Sequence, residues 1–204
     1  MPRLLIATTN PNKLREIGAV LAGSNVQLAS LADVPPLEEP EETGATFEEN
    51  ARLKAFYYAR HVEQHAGADV LTVAEDSGLV VDALDGEPGI RSARFLRPDA
   101  SYAERFAEIS RRLDARPGRP RDARFICALA VVRGGQLLFE TTGAIEGVIS
   151  EAPRGGGGFG YDPIFYFPPY GQTLAEVGDE KKLSVAHRGH AFRKLAVWLA
   201  EGKT

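Results

Sequence analysis

The alternation of apolar and polar positions predicts an α/β protein in which short strands and amphipathic helices follow one another. Short β-branched or apolar runs at 3–7, 70–74, 79–83 and 125–132 are typical of strands. Apolar residues recur at helical spacing after Pro11, after Thr46, after Ser101 and around Phe192. Gly134 and Gly135 separate two strand-like runs and predict a two-residue hairpin.

Two adjacent carboxylates, Glu75 and Asp76, stand between two of these apolar runs. The runs 70–74 and 79–83 predict two short strands joined by a turn. Acidic side chains at the end of a buried strand are costly unless a metal, a lysine or the cation of a substrate compensates them. One interpretation is a reaction centre. The other is a solvated turn in which Asp76 or Ser77 caps the next element.

The first strand runs directly into a helix whose start is well marked. Asn10 is a good N-cap, and Pro11 suits the first helical position. Such a helix start presents free backbone N–H groups to an anion, and Lys13 adds a positive charge one turn later. The segment has no Gly-rich run before a Gly-Lys-Ser/Thr, so it is not a Walker A loop. Lys13 on a solvated helix face is the alternative.

An acidic loop precedes the second helix, which a capping box at 46–49 predicts. The carboxylates of this loop are mostly solvated in the simplest interpretation. Within the helix Asn50 and Lys54 lie four residues apart and therefore share a face. Beside an Ala-rich stripe this pair belongs either to the rim of the protein or to a functional cleft, and the sequence leaves both open.

The Gly-rich segment at 155–160 matches the letters of a dinucleotide-binding G-x-G-x-x-G but lacks its context. That fingerprint requires the glycines to open a helix, whereas Asp162, Pro163 and an aromatic run follow here. Glycines beside Phe159 and Tyr161 would let the backbone approach a flat ligand on which a ring stacks. A mobile surface loop with core aromatics is the alternative. Further on, Lys182, His187 and Arg188 form a set of donors suited to phosphate or purine edges.

Composition narrows the class of protein. A chain of 204 residues with 44% hydrophobic and 25% charged residues suits one sizeable domain or two small lobes. A net charge of −4 gives no reason to expect a nucleic-acid partner. No apolar run approaches the ~20 residues that cross a bilayer, so no membrane partner is expected. Cys127 is the one cysteine, which fits a reducing cytoplasm.

Six motifs, taken together and in order, resemble the inosine triphosphate pyrophosphatase family, whose members remove deaminated purine nucleotides. They are TTNPNK at 8–13, EETGxTFxENA at 41–51, EDSGL at 75–79, PGIxSAR at 88–94, GGFGYDP at 157–163 and SxxHRG at 184–189. The match spans nearly the whole chain. Glu75 departs from many relatives, which have Asp there, but the charge is kept.

This resemblance implies an α/β fold with a long, bent mixed sheet, helices on both faces, and two lobes around a central substrate cleft. It implies a single nucleoside-triphosphate pyrophosphatase domain over 1–204 without a separable linker, assembled as a homodimer. The implied reaction is Mg²⁺-dependent hydrolysis of the α–β phosphoanhydride of ITP, dITP or XTP. The products are the nucleoside monophosphate and pyrophosphate.

Roles carry over from the resemblance position by position. Asp76 is expected to be the general base and a metal ligand, with Lys13 and Lys54 as further catalytic groups. Glu41 is expected to complete the metal shell, with help from Glu42 or Glu75. Residues expected to hold the triphosphate are Thr8, Thr9, Asn10, Pro11, Asn12, Lys13 and Ser77. Residues expected to line the base are Phe159, Gly160, Tyr161, Asp162, Lys182, His187 and Arg188. Two rival functions are a pyrophosphatase for another modified nucleotide and a nucleotide-binding module without turnover.

Overall fold

The computed structural model describes residues 1–67 and 69–202, which form seven strands and five α-helices. The strands are β1 (Arg3–Ile6), β2 (Gln27–Ser30), β3 (Leu71–Val81), β4 (Asp122–Arg133), β5 (Gln136–Ile149), β6 (Phe165–Phe167) and β7 (Gln172–Thr173). The helices are α1 (Pro11–Leu21), α2 (Phe47–Ala66), α3 (Tyr102–Asp114), α4 (Asp179–Val185) and α5 (His187–Ala200). The predicted α/β class is confirmed. Among the described residues, none of the helices has the length and apolar character to cross a membrane.

The sheet is mixed, with strand order β2-β1-β3-β4-β5-β6-β7. β1 pairs in parallel with both β2 and β3, while β6 pairs antiparallel with β5 and β7. The predicted hairpin is present: the turn between β4 and β5 is Gly134-Gly135, and both residues have positive φ, which glycine adopts without strain. The pattern did not predict β2, whose four residues carry only one buried side chain.

The prediction of two strands joined by a turn at 74–78 is wrong. β3 is one continuous strand of 11 residues, and Glu75 and Asp76 lie in its middle with only 5% of each residue exposed. The chain does not need to turn out to water at this point, because positively charged side chains reach both carboxylates inside the fold.

The chain divides into two compact units, with boundaries inside β3, β4 and β5 and between α4 and α5. The first unit contains 1–76, 127–143 and 187–204, and the second contains 77–126 and 144–186. Each unit has its own apolar core. In the first, Leu4, Ile17, Leu71 and Phe192 belong to one buried cluster, and α1 packs against α5. In the second, residues of α3, β4 and β6 such as Ile109, Phe125 and Phe165 form the core.

Candidate active site

β3 presents its two carboxylates to different elements of the first unit. Successive side chains of a strand point to opposite faces, so Glu75 and Asp76 make their closest contacts with different elements. Glu75 contacts residues of α1, β4 and α5. Asp76 contacts residues of α2. Two neighbouring acidic residues are thereby neutralised by separate partners.

Glu75 is the centre of a buried ion network. Its Oε1 lies 2.6 Å from Nζ of Lys13 and 3.4 Å from Nη2 of Arg188, and the thiol of Cys127 donates to Oε2 over 3.1 Å. Arg188 also donates from Nη1 to Glu16 over 2.7 Å. Burial alone would raise the pKa of Glu75, but Arg188 and then Lys13 outweigh it and hold that pKa well below its ordinary value. Glu75 is therefore ionised and fixed in place.

Asp76 lies between an amide and an ammonium group. Nζ of Lys54 is 2.8 Å from Oδ1 of Asp76, and Nδ2 of Asn50 donates to Oδ2 over 3.2 Å. Burial raises the pKa of Asp76 and the Lys54 ammonium opposes that rise, with a net pKa above the ordinary value. A carboxylate with a raised pKa is a stronger base, which suits proton abstraction near neutral pH.

Lys54 joins Asp76 to the acidic loop. Its Nζ also lies 2.8 Å from Oε1 of Glu42, so two carboxylates converge on one cation. Burial would lower the pKa of Lys54, but Asp76 and Glu42 outweigh it and raise the pKa. Glu41, the carboxylate predicted first for the metal shell, is exposed, and Glu42 is the one that reaches the cluster.

The start of α1 differs from its prediction in one respect. The side chain of Asn10 is the N-cap, and its Oδ1 accepts from the N–H groups of Asn12 (2.9 Å) and Lys13 (3.2 Å). Those two N–H groups are therefore not free for an anion, as the sequence had suggested. Thr8 accepts from the Asn10 N–H, and Thr9 donates to Glu39. The cationic side chain of Lys13 is what this segment offers a polyanion.

The second unit holds a cluster around Asp162. Oδ2 of Asp162 accepts from the Phe159 N–H over 2.8 Å and from Nζ of Lys182 over 2.6 Å. The Lys182 ammonium also lies 4.6 Å from the centre of the Phe159 ring. Gly158 has φ +65°, and a Cβ there would collide with the Asp162 carboxylate. The Gly-rich segment is therefore an ordered loop tied to α4.

Tyr161 is a core residue of the second unit. It is 4% exposed, and its hydroxyl donates to the Ser92 carbonyl over 2.8 Å. The ring meets that of Tyr102 edge to face, with centroids 5.3 Å apart. Burial raises the pKa of Tyr161. Phe159, by contrast, is only partly buried, as is its neighbour Gly160. Ser77, on β3, is also partly buried.

The donor set predicted at the C-terminal end is divided between the units. Lys182 lies in the second unit against Asp162, while His187 and Arg188 begin α5 in the first. His187 is 6% exposed and Arg188 1% exposed. Gly143 lets this helix start approach β5, because a Cβ there would collide with the carbonyl of His187.

Comparison with known proteins gives the family. The model of the Ham1 family matches residues 4–198. The chain belongs to the Ham1 family.

Relatives of this Ham1 chain carry names that state an activity. A dITP/XTP pyrophosphatase of Geobacillus kaustophilus (strain HTA426) is 45% identical over 195 residues, covering 96% of this chain and 93% of the relative. A second protein of that name, from Geobacter sulfurreducens (strain ATCC 51573 / DSM 12127 / PCA), is also 45% identical, covering 96% and 95%. The resemblance inferred from the motifs is confirmed.

Solved structures give the same fold. A HAM1 protein from Coxiella burnetii superposes with a TM-score of 0.86 at 34% identity, covering 98% of this chain and all of the other. The Ham1 protein of Staphylococcus aureus gives 0.85 at 32% identity, covering 99% and 100%. The Mycobacterium abscessus nucleoside-triphosphatase / dITP/XTP pyrophosphatase gives 0.72 at 40% identity, covering 97% and 98%.

The sequence did not predict several of the side-chain contacts around Glu75 and Asp76. Asn50 was singled out for its spacing from Lys54, but its contact with Asp76 was not foreseen. Glu16 lies three residues after Lys13 on α1, a spacing that signals a shared helix face. No sequence pattern indicated the contact of Cys127 with Glu75, because a cysteine within an apolar run is usually an ordinary core residue.

Proposed function

We propose that this chain hydrolyses deaminated purine nucleoside triphosphates, namely ITP, dITP and XTP, to the monophosphate and pyrophosphate. Such an enzyme cleanses the nucleotide pool. The observation that carries the proposal is that Asp76 is buried, has a raised pKa and is held by Asn50 and Lys54. The chain around it is 45% identical to dITP/XTP pyrophosphatases over nearly its full length.

Asp76 is proposed as the general base. It accepts a proton from a water molecule whose oxygen attacks the α-phosphorus, and the bond from that phosphorus to the bridging oxygen breaks as pyrophosphate leaves. The raised pKa of Asp76 supports this role, because it brings the base closer to the pH of the reaction. A positioned general base typically accelerates a reaction ~10²–10⁴-fold.

Lys13 and Lys54 are proposed to neutralise the triphosphate. Phosphoryl transfer depends mainly on positioning and on stabilising the charge of the transferred group. A lysine ~4 Å from a phosphate oxygen contributes about 4 kcal/mol of Coulomb energy at an effective dielectric constant of ~20. Glu75 holds the Lys13 ammonium in place, and Asp76 and Glu42 hold that of Lys54. Both ammonium groups are therefore already ordered before the substrate binds.

Magnesium fits the acidic residues of this cluster. Glu42 and Asp76 already share one cation, the Lys54 ammonium, at 2.8 Å each. Mg²⁺ takes one or two protein carboxylates and completes its shell with water and phosphate oxygens, so a set of three acidic ligands is not required. Glu42 and Asp76 would hold the ion. The role of Glu41 as the ligand that completes the metal shell, and that of Glu75 as a possible further ligand, stay predictions. When bound, Mg²⁺ supplies charge neutralisation on the phosphates.

The remaining residue roles stay predictions from the resemblance. Phe159 is proposed to stack on the base, which its ordered loop and partial exposure support. The triphosphate roles of residues 8–13 and Ser77, and the base roles of Gly160, Tyr161, Asp162, Lys182, His187 and Arg188, are kept likewise. Hypoxanthine and xanthine present an acceptor oxygen at C6 where adenine presents a donor, so a donor aimed there rejects adenine.

A substrate panel tests the proposal. Pyrophosphate release is measured with ITP, dITP and XTP against ATP, GTP and dUTP, with and without Mg²⁺. Preferred turnover of the first three supports the proposal. Preference for dUTP or another modified nucleotide would favour the rival pyrophosphatase, and binding without any release would favour a nucleotide-binding module.

We further propose that the protein is a cytoplasmic homodimer and that residues 1–204 act as one functional domain of two lobes. The buried, reduced Cys127 supports the location, since its thiol donates to Glu75 and has no cysteine partner in the chain. Light scattering of the purified protein tests the dimer. Residues 203 and 204 lie outside the described residues.

A further inference from the structure

Asn50 is a buried polar residue that contacts the proposed general base. The residue has no exposed surface. Its Nδ2 donates to Oδ2 of Asp76 over 3.2 Å, and its Oδ1 accepts from the Gly44 N–H over 2.8 Å. Lys54 occupies the other carboxylate oxygen of Asp76, so each oxygen of that carboxylate has a separate partner.

The orientation of the Asn50 amide is set by its neighbours. The Gly44 backbone N–H can only donate, and it requires the oxygen of the amide. An ionised Asp76 can only accept, and it requires the nitrogen. A flipped amide would face donor against donor at one end and acceptor against acceptor at the other. The amide therefore links the two groups in one arrangement.

The backbone at Gly44 is packed closely against this amide. A Cβ at residue 44 would lie 2.7 Å from Oδ1 of Asn50 and 2.8 Å from Cβ of Glu49, both too short for real contacts. Glycine is thus required for the hydrogen bond that anchors Asn50. The next residue is also tied to the first turn of α2, because the Ala45 N–H donates to Glu49 over 2.7 Å. The anchor for the amide is itself an ordered part of the fold.

We propose that Asn50 is a positioning residue that fixes the side-chain rotamer of Asp76, so that Asp76 can accept the proton of the water that attacks the α-phosphorus. Lys54 alone leaves the carboxylate free to rotate about its contact with a single ammonium. The Asn50 amide holds the second oxygen and so sets the direction from which Asp76 accepts a proton. Because Asn50 has no exposed surface, it acts through Asp76 and makes no contact with substrate. The inference rests on the proposed function of Asp76.

Two variants separate this role from ordinary burial of a polar group. Asn50→Leu keeps the approximate volume and removes both hydrogen bonds. Asn50→Asp keeps the acceptor for Gly44 but replaces the donor facing Asp76 with a second carboxylate. Thr72→Val is the matched control, since Thr72 is a fully buried polar residue in the same strand as Asp76. Folding of each variant is checked by its thermal unfolding transition.

The measurement is kcat and KM for dITP or XTP from pyrophosphate release. Misplacing a catalytic group by about 1 Å costs up to roughly 100-fold in rate, so we expect kcat to fall roughly 10–100-fold in both variants. KM is expected to change less than about threefold, because the side-chain hydrogen bonds of Asn50 go to Asp76 and Gly44 and the residue has no exposed surface. Thr72→Val keeps the wild-type kcat.

A double variant tests the route through Asp76. Adding Asn50→Leu to Asp76→Asn is expected to leave the residual rate unchanged, because the positioned group is already lost. Multiplied losses would overturn the inference, as would a folded Asn50→Asp protein with wild-type kcat. A wild-type chain that releases no pyrophosphate would overturn the proposed function, and this inference with it.

Discussion

Two residues that are adjacent in the chain have opposite electrostatic environments. Arg188 and Lys13 lower the pKa of Glu75 against the effect of burial, whereas burial prevails at Asp76 and raises its pKa. Carboxylates whose pKa values are pushed apart by their surroundings take different roles in a site. Glu75 is a fixed structural anion, and Asp76 is the residue suited to exchange a proton. The letters Glu-Asp do not distinguish these roles, because the partners of Glu75 are distant in the sequence. Lys13 lies 62 residues before Glu75, and Arg188 lies 113 residues after it.

The role of Glu75 predicts a loss of stability in Glu75→Gln. Removing one partner of a buried ion network leaves the others uncompensated, so the free energy of unfolding at pH 7 is expected to fall by about 3 kcal/mol. The pKa of Glu75 is lower in the folded chain than its ordinary value of 4.5. Its charge therefore stabilises the fold above pH 4.5, and this stabilisation is lost as the pH falls through the folded-state pKa.

Urea unfolding of both proteins at several pH values measures this effect. The difference between wild type and Glu75→Gln should be largest at neutral pH and shrink progressively below pH 4.5. Glu140→Gln is the control, because Glu140 pairs with Arg52 at an exposed position and its loss should cost less than ~1 kcal/mol. A pH-independent difference for Glu75→Gln would show that the carboxylate is not the stabilising group.

Three elements of the first unit each supply one proposed functional group. α1 supplies Lys13, α2 supplies Lys54, and β3 supplies Asp76. The positions of the lysines depend on how each helix begins, since Lys13 is the third residue of α1 and Lys54 lies two turns into α2. N-caps are therefore expected to influence function as well as stability.

The cap of α1 can be tested by Asn10→Ala. Loss of the bonds to the N–H groups of Asn12 and Lys13 is expected to cost about 1 kcal/mol in the free energy of unfolding. KM for the nucleotide is expected to rise severalfold, because the turn that carries Lys13 loosens. Ser101→Ala removes the cap of α3 and serves as the control. Ser101→Ala should lower the free energy of unfolding by a similar amount without changing KM. An equal rise in KM in both variants would argue against a specific effect of the α1 cap on Lys13.

The Gly-rich loop can be tested by Phe159→Ala. Stacking of a base on an aromatic ring contributes about 1–3 kcal/mol, so the dissociation constant for the nucleotide is expected to rise roughly 5–150-fold. Phe56→Ala is the control, because Phe56 is an aromatic residue on α2 with 40% of its surface exposed. Calorimetric titration measures both, and an unchanged affinity in Phe159→Ala would remove the ring from the base site.

Local patterns predicted the elements better than the partners of their side chains. The caps at Asn10 and Thr46 and the Gly134-Gly135 turn follow from short-range chemistry and were predicted. β3 was predicted as two strands, because a pattern read locally cannot see the distant Arg188 that allows Glu75 to stay buried. Glu42 rather than Glu41 joins Lys54, a choice that depends on the path of an irregular loop.

At the scale of the whole molecule, the chain consists of two units with separate cores and separate polar clusters. The first holds Asp76 with Lys54, and the second holds Asp162 with Lys182. The Ham1 family model matches residues 4–198, a stretch that contains both clusters. The central claim concerns the first cluster: Asp76 carries the chemistry, and its neighbours set its charge and position.

The most direct test of this claim is the steady-state turnover and nucleotide affinity of Asp76→Asn. Asp99→Asn is the control, because 83% of the Asp99 side chain is exposed. The account predicts that Asp76→Asn folds and binds dITP or XTP within about threefold of wild type, while kcat for pyrophosphate release falls ~10²–10⁴-fold. A kcat near that of wild type and of Asp99→Asn would contradict it.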